Sequence, residues 1–385
     1  MGSHGRVEKI GIGLVGFGYI GRVHTLCYRE LPSFYPVALP RLSLAAVCTS
    51  RPETARAAAE EGGYEQWFTD VDSLVRNPSV TVVDCCTPNS QHRQTLLAAL
   101  RAGKHVYCEK PLALNATEAR EISREAERAG VSVGMTYNFR FVPALMRARR
   151  MIADGMVGDI YSFRAEYYHS GNIDPLKPLS WRLKKEASGG GALVDLGSHV
   201  IDLVRHLFGE IESVRALTKT YTKQRPTAPG SSTMGEVTAD DAAWLQLKLA
   251  RGVLGTLEVS KCATGSLDDL KIEVFGSKGA LRFSLMDANW LYWYDATRAG
   301  GFQGGDLGWT RLETVQHYAG AAVPAPRSIV GWTRTHAECQ YAFLNAVAAG
   351  KKPEPGLEDG LRAQLVLDAA YRSAEQDTWV SVPKE

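Results

Sequence analysis

Asp195 and His199 are the residues whose types and spacing suit proton transfer most directly. They lie four apart after three glycines at 189–191, and on a helix this spacing places both side chains on one face. An imidazole with an ordinary pKa of ~6.5 can give or take a proton near neutral pH. From spacing alone, a solvated or interface polar face is the simpler interpretation. The pattern offers no third metal ligand, which argues against a catalytic zinc ion.

A second candidate group is Glu109-Lys110-Pro111, which follows the short apolar run 105–108. Open α/β sheets bind ligands at the carboxyl ends of their strands, where this segment is expected to lie. A lysine ammonium there can stabilise negative charge on a reacting oxygen. Because a lysine at a strand end is usually just solvated, the segment alone does not decide the chemistry.

A glycine-rich turn near the N-terminus predicts dinucleotide binding. The spacing GxGxxG occurs over residues 11–16 and again over 16–21. The second register leaves 10–15 as a strand and starts a helix near Tyr19, so that amides of the turn can hold a pyrophosphate. The alternative is a tight strand–helix turn without a ligand. The predicted cofactor residues of this turn are Gly16, Phe17, Gly18, Tyr19, Ile20 and Gly21.

The end of the second predicted strand bears on the choice between NAD and NADP. An NAD-preferring fold usually places an acid there, on the ribose hydroxyls. This chain has Thr49-Ser50-Arg51 instead, and its first acid is Glu53. Ser50 and Arg51 are therefore candidates to meet a 2′-phosphate, which predicts that NADP is accepted at least as well as NAD. An ordinary solvated arginine is the alternative interpretation of Arg51.

Alternating strands and helices must position these groups in the N-terminal third. Short apolar runs, typical of buried parallel strands, occupy 10–15, 42–47, 80–83, 105–108 and 131–135. The clearest helix is 116–129, where Asn115 and Glu118 form a capping box. Strands separated by helices imply crossover connections, and hence a doubly wound parallel sheet of the Rossmann type.

The pattern changes from about residue 135. Helices are predicted at 143–154, 191–208, 334–349 and 357–375, and a mobile loop at 222–240. Strand-like runs lie at 160–169, 211–220, 242–249, 253–260, 271–276, 279–285 and 290–294. Consecutive short strands indicate an open, mostly antiparallel sheet. The predicted domains are a dinucleotide-binding domain at 7–134 and an α/β domain for substrate binding and oligomerisation at 135–385.

Composition excludes several classes of protein. The 385 residues are 45% hydrophobic and 22% charged, close to the globular average, and the net charge of +2 offers no footprint for nucleic acid or an anionic membrane. No charge-free apolar run reaches the ~18 residues of a membrane span, and signal-peptide features are lacking. Seven cysteines without CxxC spacing predict reduced thiols in the cytoplasm.

Several motifs together resemble the Gfo/Idh/MocA family of oxidoreductases over essentially the whole chain. They are the glycine turn 16–21, Thr87-Pro88-Asn89 with His92, the segment 102–111 ending in Glu109-Lys110-Pro111, the segment 191–199 with Asp195 and His199, and the turn 274–279. Within the family, segment 178–182 and Arg225-Pro226 look most like the levoglucosan dehydrogenase and inositol dehydrogenase-like branch.

The resemblance implies a role for each matching residue. His199 resembles the general acid/base, Lys110 the group that hydrogen-bonds the reacting oxygen, and Asp195 a substrate-hydroxyl acceptor. Residues matching the nicotinamide side are Thr87, Pro88, Asn89, His92, Glu109 and Lys110. Residues expected to contact substrate, besides Lys110, Asp195 and His199, are Asn138, Arg140, His169, Trp181 and Arg182. No metal is expected.

The activity implied is reversible hydride transfer between NAD or NADP and a secondary alcohol of a cyclic sugar, anhydrosugar or inositol. A neutral pyranose or cyclitol is the expected substrate. The exposed sheet face predicts a homodimer or homotetramer. Two alternatives stay open, an NAD-dependent glycosidase of the same fold and a non-catalytic dinucleotide-binding regulator.

Overall fold

Strands and helices follow the alternation predicted from the sequence. The computed structural model describes residues 9–36, 40–314, 318–323, 328–329 and 331–384. The strands are β1 Lys9–Val15, β2 Arg41–Cys48, β3 Gln66–Phe68, β4 Val82–Cys85, β5 His105–Cys108, β6 Val133–Met135, β7 Ile160–Tyr168, β8 Ile211–Lys219, β9 Gln224–Pro226, β10 Met234–Glu236, β11 Ala242–Leu249, β12 Leu254–Ser260, β13 Asp269–Gly276, β14 Gly279–Ser284, β15 Trp290–Asp295, β16 Trp309–Glu313 and β17 Val380–Ser381. The α-helices are α1 Tyr19–Phe34, α2 Pro52–Gly62, α3 Val71–Arg76, α4 His92–Arg101, α5 Ala116–Ala129, α6 Pro143–Ala153, α7 Lys185–Ser188, α8 Ala192–Asp195, α9 Gly197–Phe208, α10 Trp332–Ala348 and α11 Leu357–Gln376.

Grouped by their contacts, the residues form two units. Unit 1 comprises Met1–Asn138 and Gln316–Arg362, and unit 2 comprises Phe139–Val315 and Ala363–Glu385. The domains predicted from the sequence, 7–134 and 135–385, are contiguous and stay a prediction. The grouping by contacts differs from them chiefly because it assigns a late segment of the chain to unit 1.

Unit 1 contains a sheet whose described strands run in the order β3-β2-β1-β4-β5-β6, and every neighbouring pair is parallel. Ile10, Ile12 and Leu14 are fully buried, as expected for a parallel strand covered on both faces. The predicted doubly wound parallel sheet is therefore confirmed. The prediction missed β3, and it ended the third apolar run at residue 83, whereas β4 includes the buried Asp84.

Helix α10 belongs to unit 1 and is held there by an aromatic and polar contact with the end of α1. The Tyr35 ring stacks on Tyr341 with centroids 3.5 Å apart, and the Tyr35 hydroxyl donates to the Glu338 carboxylate at 2.6 Å. Burial raises the pKa of Tyr35, and the hydrogen bond to Glu338 adds to this rise. The phenol therefore stays protonated and continues to donate at neutral pH.

Unit 2 contains a sheet in the order β16-β15-β14-β13-β7-β12-β11-β8-β17 among its described strands. Strands β7 and β12 pair in parallel, and the other neighbours are antiparallel, so the predicted mostly antiparallel sheet is confirmed. The register pairs Tyr168 with Ser260, so the residues that follow these two strands, His169 and Lys261, emerge side by side. Phe163 of β7 packs against Phe208 of α9 at 5.0 Å.

Two local predictions for unit 2 are wrong. The segment 222–240 is not simply a loop, because it contains a hairpin of β9 and β10. Its Arg225 is fully buried and donates to the backbone carbonyls of Asn172 and Asp174. The predicted helix 191–208 is divided at Leu196 into α8 and α9. Glycine and proline content suggested mobility at 222–240, but the buried arginine contacts order the hairpin.

None of the helices in the described ranges combines the length and apolar character needed to cross a membrane.

Candidate functional site

The glycine turn leaves space at the N-terminus of α1. Gly16 has φ +93°, and a Cβ there would lie 2.7 Å from the Cys86 carbonyl oxygen, so only glycine fits. A Cβ on Gly18 would meet no atom within 4 Å, and no side chain caps α1. Gly11 lies inside β1, which favours the register over residues 16–21. The free amides at the helix start suit a pyrophosphate.

The side chains of the turn have different surroundings. Phe17 packs edge-on against Tyr64 at 6.4 Å, and its carbonyl accepts a hydrogen bond from Arg22 at 2.9 Å. Ile20 joins the same apolar cluster. Tyr19 is exposed and stacks on Trp332 at 6.2 Å. The inner face of the turn is therefore packed against the apolar cluster, while its outer face is exposed.

Ser50 and Arg51 follow β2 and are both exposed. Arg51 is the N-terminal cap residue of α2, and its carbonyl accepts hydrogen bonds from Thr54 and Ala55. Its guanidinium has no ion-pair partner among the described residues. The positive charge of Arg51 can therefore interact with a ligand at the end of β2. Its contact with the 2′-phosphate of NADP stays a prediction.

His92 links the two loops at the carboxyl ends of β4 and β5. Its ring is fully buried, with Nδ1 2.8 Å from the Pro111 carbonyl oxygen and Nε2 3.1 Å from that of Thr87. Pro88 and Asn89 follow Thr87 at the start of a short 3₁₀ turn, where Asn89 is buried. His92 therefore positions the loop backbones, a more specific contact than the sequence predicts.

The carboxylate of Glu109 points into a buried charge network. His24 of α1 lies between two acids, with Nδ1 2.9 Å from Asp84 and Nε2 3.1 Å from Glu109. Tyr28 also donates to Asp84 at 2.9 Å. The second oxygen of Glu109 accepts the Lys110 backbone N–H at 3.2 Å. Glu109 therefore anchors the strand end from which the half-buried Lys110 projects.

The charges of this network depend on one another. Burial alone would lower the pKa of His24, but the charges of Asp84 and Cys86 and the hydrogen bonds to them together raise it well above 6.5. Burial would raise the pKa of Glu109, but the hydrogen bond and charge of His24 lower it to about 2. His24 is thus an imidazolium between two carboxylates at neutral pH. Burial and the nearby charge of His24 lower the pKa of His336 to about 3.

In unit 2, the carboxylate of Asp240 fixes the start of the helix that leads to Asp195. It accepts the backbone N–H groups of Gly191 and Leu193, each at 2.8 Å, and the Tyr371 hydroxyl at 2.6 Å. A Cβ on Gly191 would lie 1.7 Å from the Asp240 carbonyl oxygen. The glycine run therefore allows a close approach that supplies α8 with a cap from another segment.

Asp195 and three cationic side chains line one cavity of about 190 Å³. Its lining residues are His169, Gly171, Asn172, Lys177, Ser180, Arg182, Leu183, Asp195, Leu196 and Lys261. The Lys261 ammonium lies 2.9 Å from the Asp195 carboxylate. Burial and the charges of Lys261, Arg225 and Arg182 lower the pKa of Lys177. Most of the lining residues are charged or polar, and the volume suits a small hydroxylated molecule.

His199 follows one turn later, with its ring 4.8 Å from Phe139 and 6.3 Å from Tyr167. Tyr167 and His169 share Asp268, whose carboxylate lies 2.6 Å from the Tyr167 hydroxyl and 3.0 Å from the His169 ring. Burial would raise the pKa of Asp268, but these hydrogen bonds lower it. The aromatic rings restrict the orientation of the His199 imidazole.

The remaining predicted substrate residues differ in their surroundings. Asn138 is buried in unit 1 and donates to the Thr335 hydroxyl at 3.0 Å. Arg140 is buried in unit 2 and pairs with Asp202 of α9 at 2.8 Å. Arg182 lies over the Trp181 ring at 4.4 Å and faces the cavity described above. Of these, Arg182 is thus the side chain that lines the cavity.

Within the part of the chain that the structure describes, three buried groups of side chains have ligand atoms close enough to hold a metal. They are Cys85, His92 and Cys108; His24, Glu109 and His336; and His24, Asp84 and Cys86. The ring nitrogens of His92 face backbone carbonyls, and those of His24 face carboxylates. These contacts account for the imidazoles without an ion, so we assign no metal to them.

Sequence reasoning missed His24, Asp84 and Lys261. Asp84 is a charged residue inside an apolar strand, which is a usable signal for a buried pair. His24 lies three residues after the last glycine of the fingerprint, on the inner face of α1. Lys261 carries no local signal, because its partner Asp195 lies 66 positions earlier in the chain.

Two family models match consecutive parts of the chain. Residues 10–137 match the oxidoreductase family with an NAD-binding Rossmann fold, Gfo/Idh/MocA. Residues 145–282 match the C-terminal domain of the same family.

Similar proteins include sugar and cyclitol dehydrogenases. Levoglucosan dehydrogenase of Pseudarthrobacter phenanthrenivorans is 31% identical, over 98% of this chain and 99% of its own length. Myo-inositol 2-dehydrogenase of Thermotoga maritima is 26% identical over 95% and 96%. A levoglucosan dehydrogenase structure in complex with NADH has a TM-score of 0.93 at 31% identity, covering 98% of this chain and 100% of that chain.

Proposed function

Because the chain belongs to the Gfo/Idh/MocA family of NAD-binding oxidoreductases, we propose that it reversibly oxidises a secondary alcohol of a cyclic sugar, anhydrosugar or inositol. A neutral pyranose or cyclitol is the proposed substrate, in keeping with relatives named for levoglucosan and myo-inositol. The observation that carries the proposal is the cavity lined mostly by charged and polar residues, with Asp195 on its wall one helical turn before His199.

The residues at the glycine turn fit a dinucleotide. Backbone amides of residues 16–21 and the uncapped start of α1 would hold the pyrophosphate, while Ser50 and Arg51 would approach the adenosine ribose. Thr87, Pro88, Asn89, His92, Glu109 and Lys110 are proposed to line the nicotinamide side. A nicotinamide held by these residues would supply the acceptor for a hydride from the substrate carbon.

In the proposed reaction, His199 removes the hydroxyl proton as hydride leaves the same carbon. Lys110 donates a hydrogen bond to the reacting oxygen, where its positive charge stabilises developing alkoxide. Asp195 accepts a hydrogen bond from a substrate hydroxyl. Asn138, Arg140, His169, Trp181 and Arg182 are proposed to shape the substrate site, Arg140 through its pair with Asp202 on the helix of His199.

A substrate screen tests this proposal. Purified protein is incubated with pyranoses, anhydrosugars, inositols and glycosides, with NAD and NADP separately, while reduced nicotinamide is followed by absorbance. Net reduction with a cyclic polyol supports the proposal. Release of an aglycone without net reduction indicates the glycosidase, and dinucleotide binding without turnover of any compound indicates a regulator. Turnover of only sugar phosphates or acyclic hydroxy acids contradicts the proposed substrate class.

We further propose a cytoplasmic homodimer or homotetramer. Trp244 and Leu217 are register partners on β11 and β8, and both are exposed on the outer face of the sheet in unit 2. Exposed apolar side chains on a long sheet favour a partner surface. Light scattering coupled to size-exclusion chromatography measures the assembly, and a monomer at micromolar concentration contradicts it.

A further inference from the structure

A buried lysine on the wall of the unit 2 cavity has no role in the mechanism above. Lys261 follows the last residue of β12 and is 9% exposed. Its Nζ lies 2.9 Å from Oδ2 of Asp195. Lysine is seldom buried unless its charge is paired, because burial removes hydration and side-chain freedom. The position therefore has a reason beyond packing, and the partner is a residue already proposed to bind substrate.

The backbone of Lys261 is held on both sides. Its N–H donates to the Asp241 carbonyl at 2.8 Å, and its own carbonyl accepts the Asn172 N–H at 2.9 Å. The Asn172 side chain in turn donates to the Asp241 carboxylate at 3.0 Å. Because β7 and β12 are parallel, the neighbouring His169 N–H donates to the Ser260 carbonyl at 2.8 Å. These hydrogen bonds fix the backbone from which the Lys261 side chain extends.

The pair differs from an ordinary surface ion pair. Both side chains line the cavity, but the Asp195 side chain is 34% exposed, whereas the lysine side chain is only 11% exposed. An ammonium in this position favours the ionised carboxylate and limits its rotation. A carboxylate held in this way can accept a hydrogen bond from a hydroxyl but is a poor proton donor, which leaves proton transfer to His199.

We propose that Lys261 is a positioning residue that holds the Asp195 carboxylate at the cavity wall as a hydrogen-bond acceptor for a substrate hydroxyl. This inference rests on the proposed function, because Asp195 has that role only if the cavity binds a hydroxylated substrate. The other charged or titratable groups around Asp195 and His199 are Tyr167, His169 with its partner Asp268, Lys177, Arg182 and Asp241.

The test compares Lys261→Met and Lys261→Arg with a matched control, Lys271→Met. Lys271 also pairs with an aspartate, Asp269, at 2.8 Å, but it lies on the outer face of the sheet and is 42% exposed. For each variant, kcat and KM of the sugar are measured across pH, together with the affinity for NADH. Lys261→Met should lower kcat/KM roughly ten- to a hundredfold, mainly through KM, as expected for loss of a charge-assisted hydrogen bond.

The pH profile separates positioning from mere structural damage. Loss of a positive charge should move the acidic limb of kcat/KM to higher pH, because neighbouring acids and imidazoles then hold their protons more strongly. Lys261→Arg should restore part of the activity and the wild-type profile, while Lys271→Met should stay within about twofold of wild type. Wild-type kcat/KM and pH profile in Lys261→Met overturn the proposal, as does a loss that Lys271→Met shares.

Failure of the proposed function gives a different result. If the wild-type protein oxidises none of the screened compounds, the pairing is judged from thermal unfolding of Asp195→Asn, Lys261→Met and the double variant. Non-additive shifts of the melting temperature support a coupled pair, and additive shifts overturn it.

Discussion

Removing His24 should destabilise unit 1 more than removal of any ordinary buried histidine. The imidazolium lies between Asp84 and Glu109 at 2.9 and 3.1 Å, and all three side chains are at least nine-tenths buried. In His24→Ala, both carboxylates would lose a charged donor inside the protein. Removing one partner of a buried ion pair typically lowers the free energy of unfolding by about 3–5 kcal/mol, because the remaining charge stays buried without a partner.

The pKa of Glu109 gives a second measure of the free energy of unfolding that His24→Ala should lose. The pKa of Glu109 falls from 4.5 to about 2, although burial acts in the opposite direction. At 1.36 kcal/mol per pKa unit, this shift corresponds to about 3 kcal/mol of stability at neutral pH. A loss of this size is a large fraction of the 5–15 kcal/mol that stabilises a typical domain, roughly speaking.

The pH dependence has a definite sign for each group. Because the folded pKa of His24 is raised, its contribution is fully present below an unfolded pKa of ~6.5 and is lost as the pH rises through the folded value. Because the folded pKa of Glu109 is lowered, its contribution is present above ~4.3 and is lost as the pH falls towards 2. The difference between wild type and His24→Ala should therefore be largest near pH 5–6.5.

Urea unfolding at several pH values measures this difference. His105→Ala is the control, because the His105 ring accepts the Ser132 N–H at 3.0 Å and burial lowers its pKa. We expect a loss of about 1 kcal/mol for the control, typical of one hydrogen bond, with no decrease at alkaline pH. Equal losses for the two variants, or a His24→Ala loss that does not shrink above the folded pKa, would refute the reasoning.

Three other predictions concern catalysis, cofactor choice and helix capping. Lys110→Ala and His199→Ala should each lower kcat by ~10²-fold or more with NADH affinity nearly unchanged, and wild-type turnover in steady-state assays would remove them from the mechanism. Arg51→Ala should weaken NADP binding by at most ten- to a hundredfold, roughly, and leave NAD binding alone; strong NAD preference in both proteins by titration would make Arg51 an ordinary surface residue. Asp240→Ala should lower the free energy of unfolding by about 2 kcal/mol by calorimetry, because two buried N–H groups lose their acceptor, and an unchanged melting temperature would contradict the assigned cap.

The Rossmann sheet could be predicted because its signals are local. Apart from β3, which is three residues long and was missed, the parallel strands are short, largely apolar runs bounded by glycine, proline or polar residues, and α5 begins at a visible capping box. In the structure the Asn115 side chain accepts the Glu118 N–H at 3.0 Å, as predicted. The Glu118 carboxylate accepts the N–H of Leu114 at 3.2 Å, so the pattern identified the start of the helix but not each partner.

Errors arose where long-range contacts decide the structure. The strand at Asp84 was ended early because a charge inside an apolar run looks like a boundary. Its burial depends on distant partners, His24 and Tyr28, which lie 60 and 56 positions earlier in the chain. Proline and glycine made 222–240 look mobile, but Arg225 is held by carbonyls more than 50 positions earlier. Composition and periodicity contain no information about such partners.

The same kind of contact holds the candidate residues of both units. His24 fixes Glu109 next to Lys110, and Lys261 fixes Asp195; Arg140 pairs with Asp202 on the helix that carries His199. Buried ion pairs add little stability over apolar packing of the same volume, so stability alone does not explain them. They do fix the orientation of the paired side chains, because a charged group that rotates away from its partner is left unpaired. In an enzyme that must hold a hydroxyl within hydrogen-bond reach, orientation of these side chains contributes more than additional packing would.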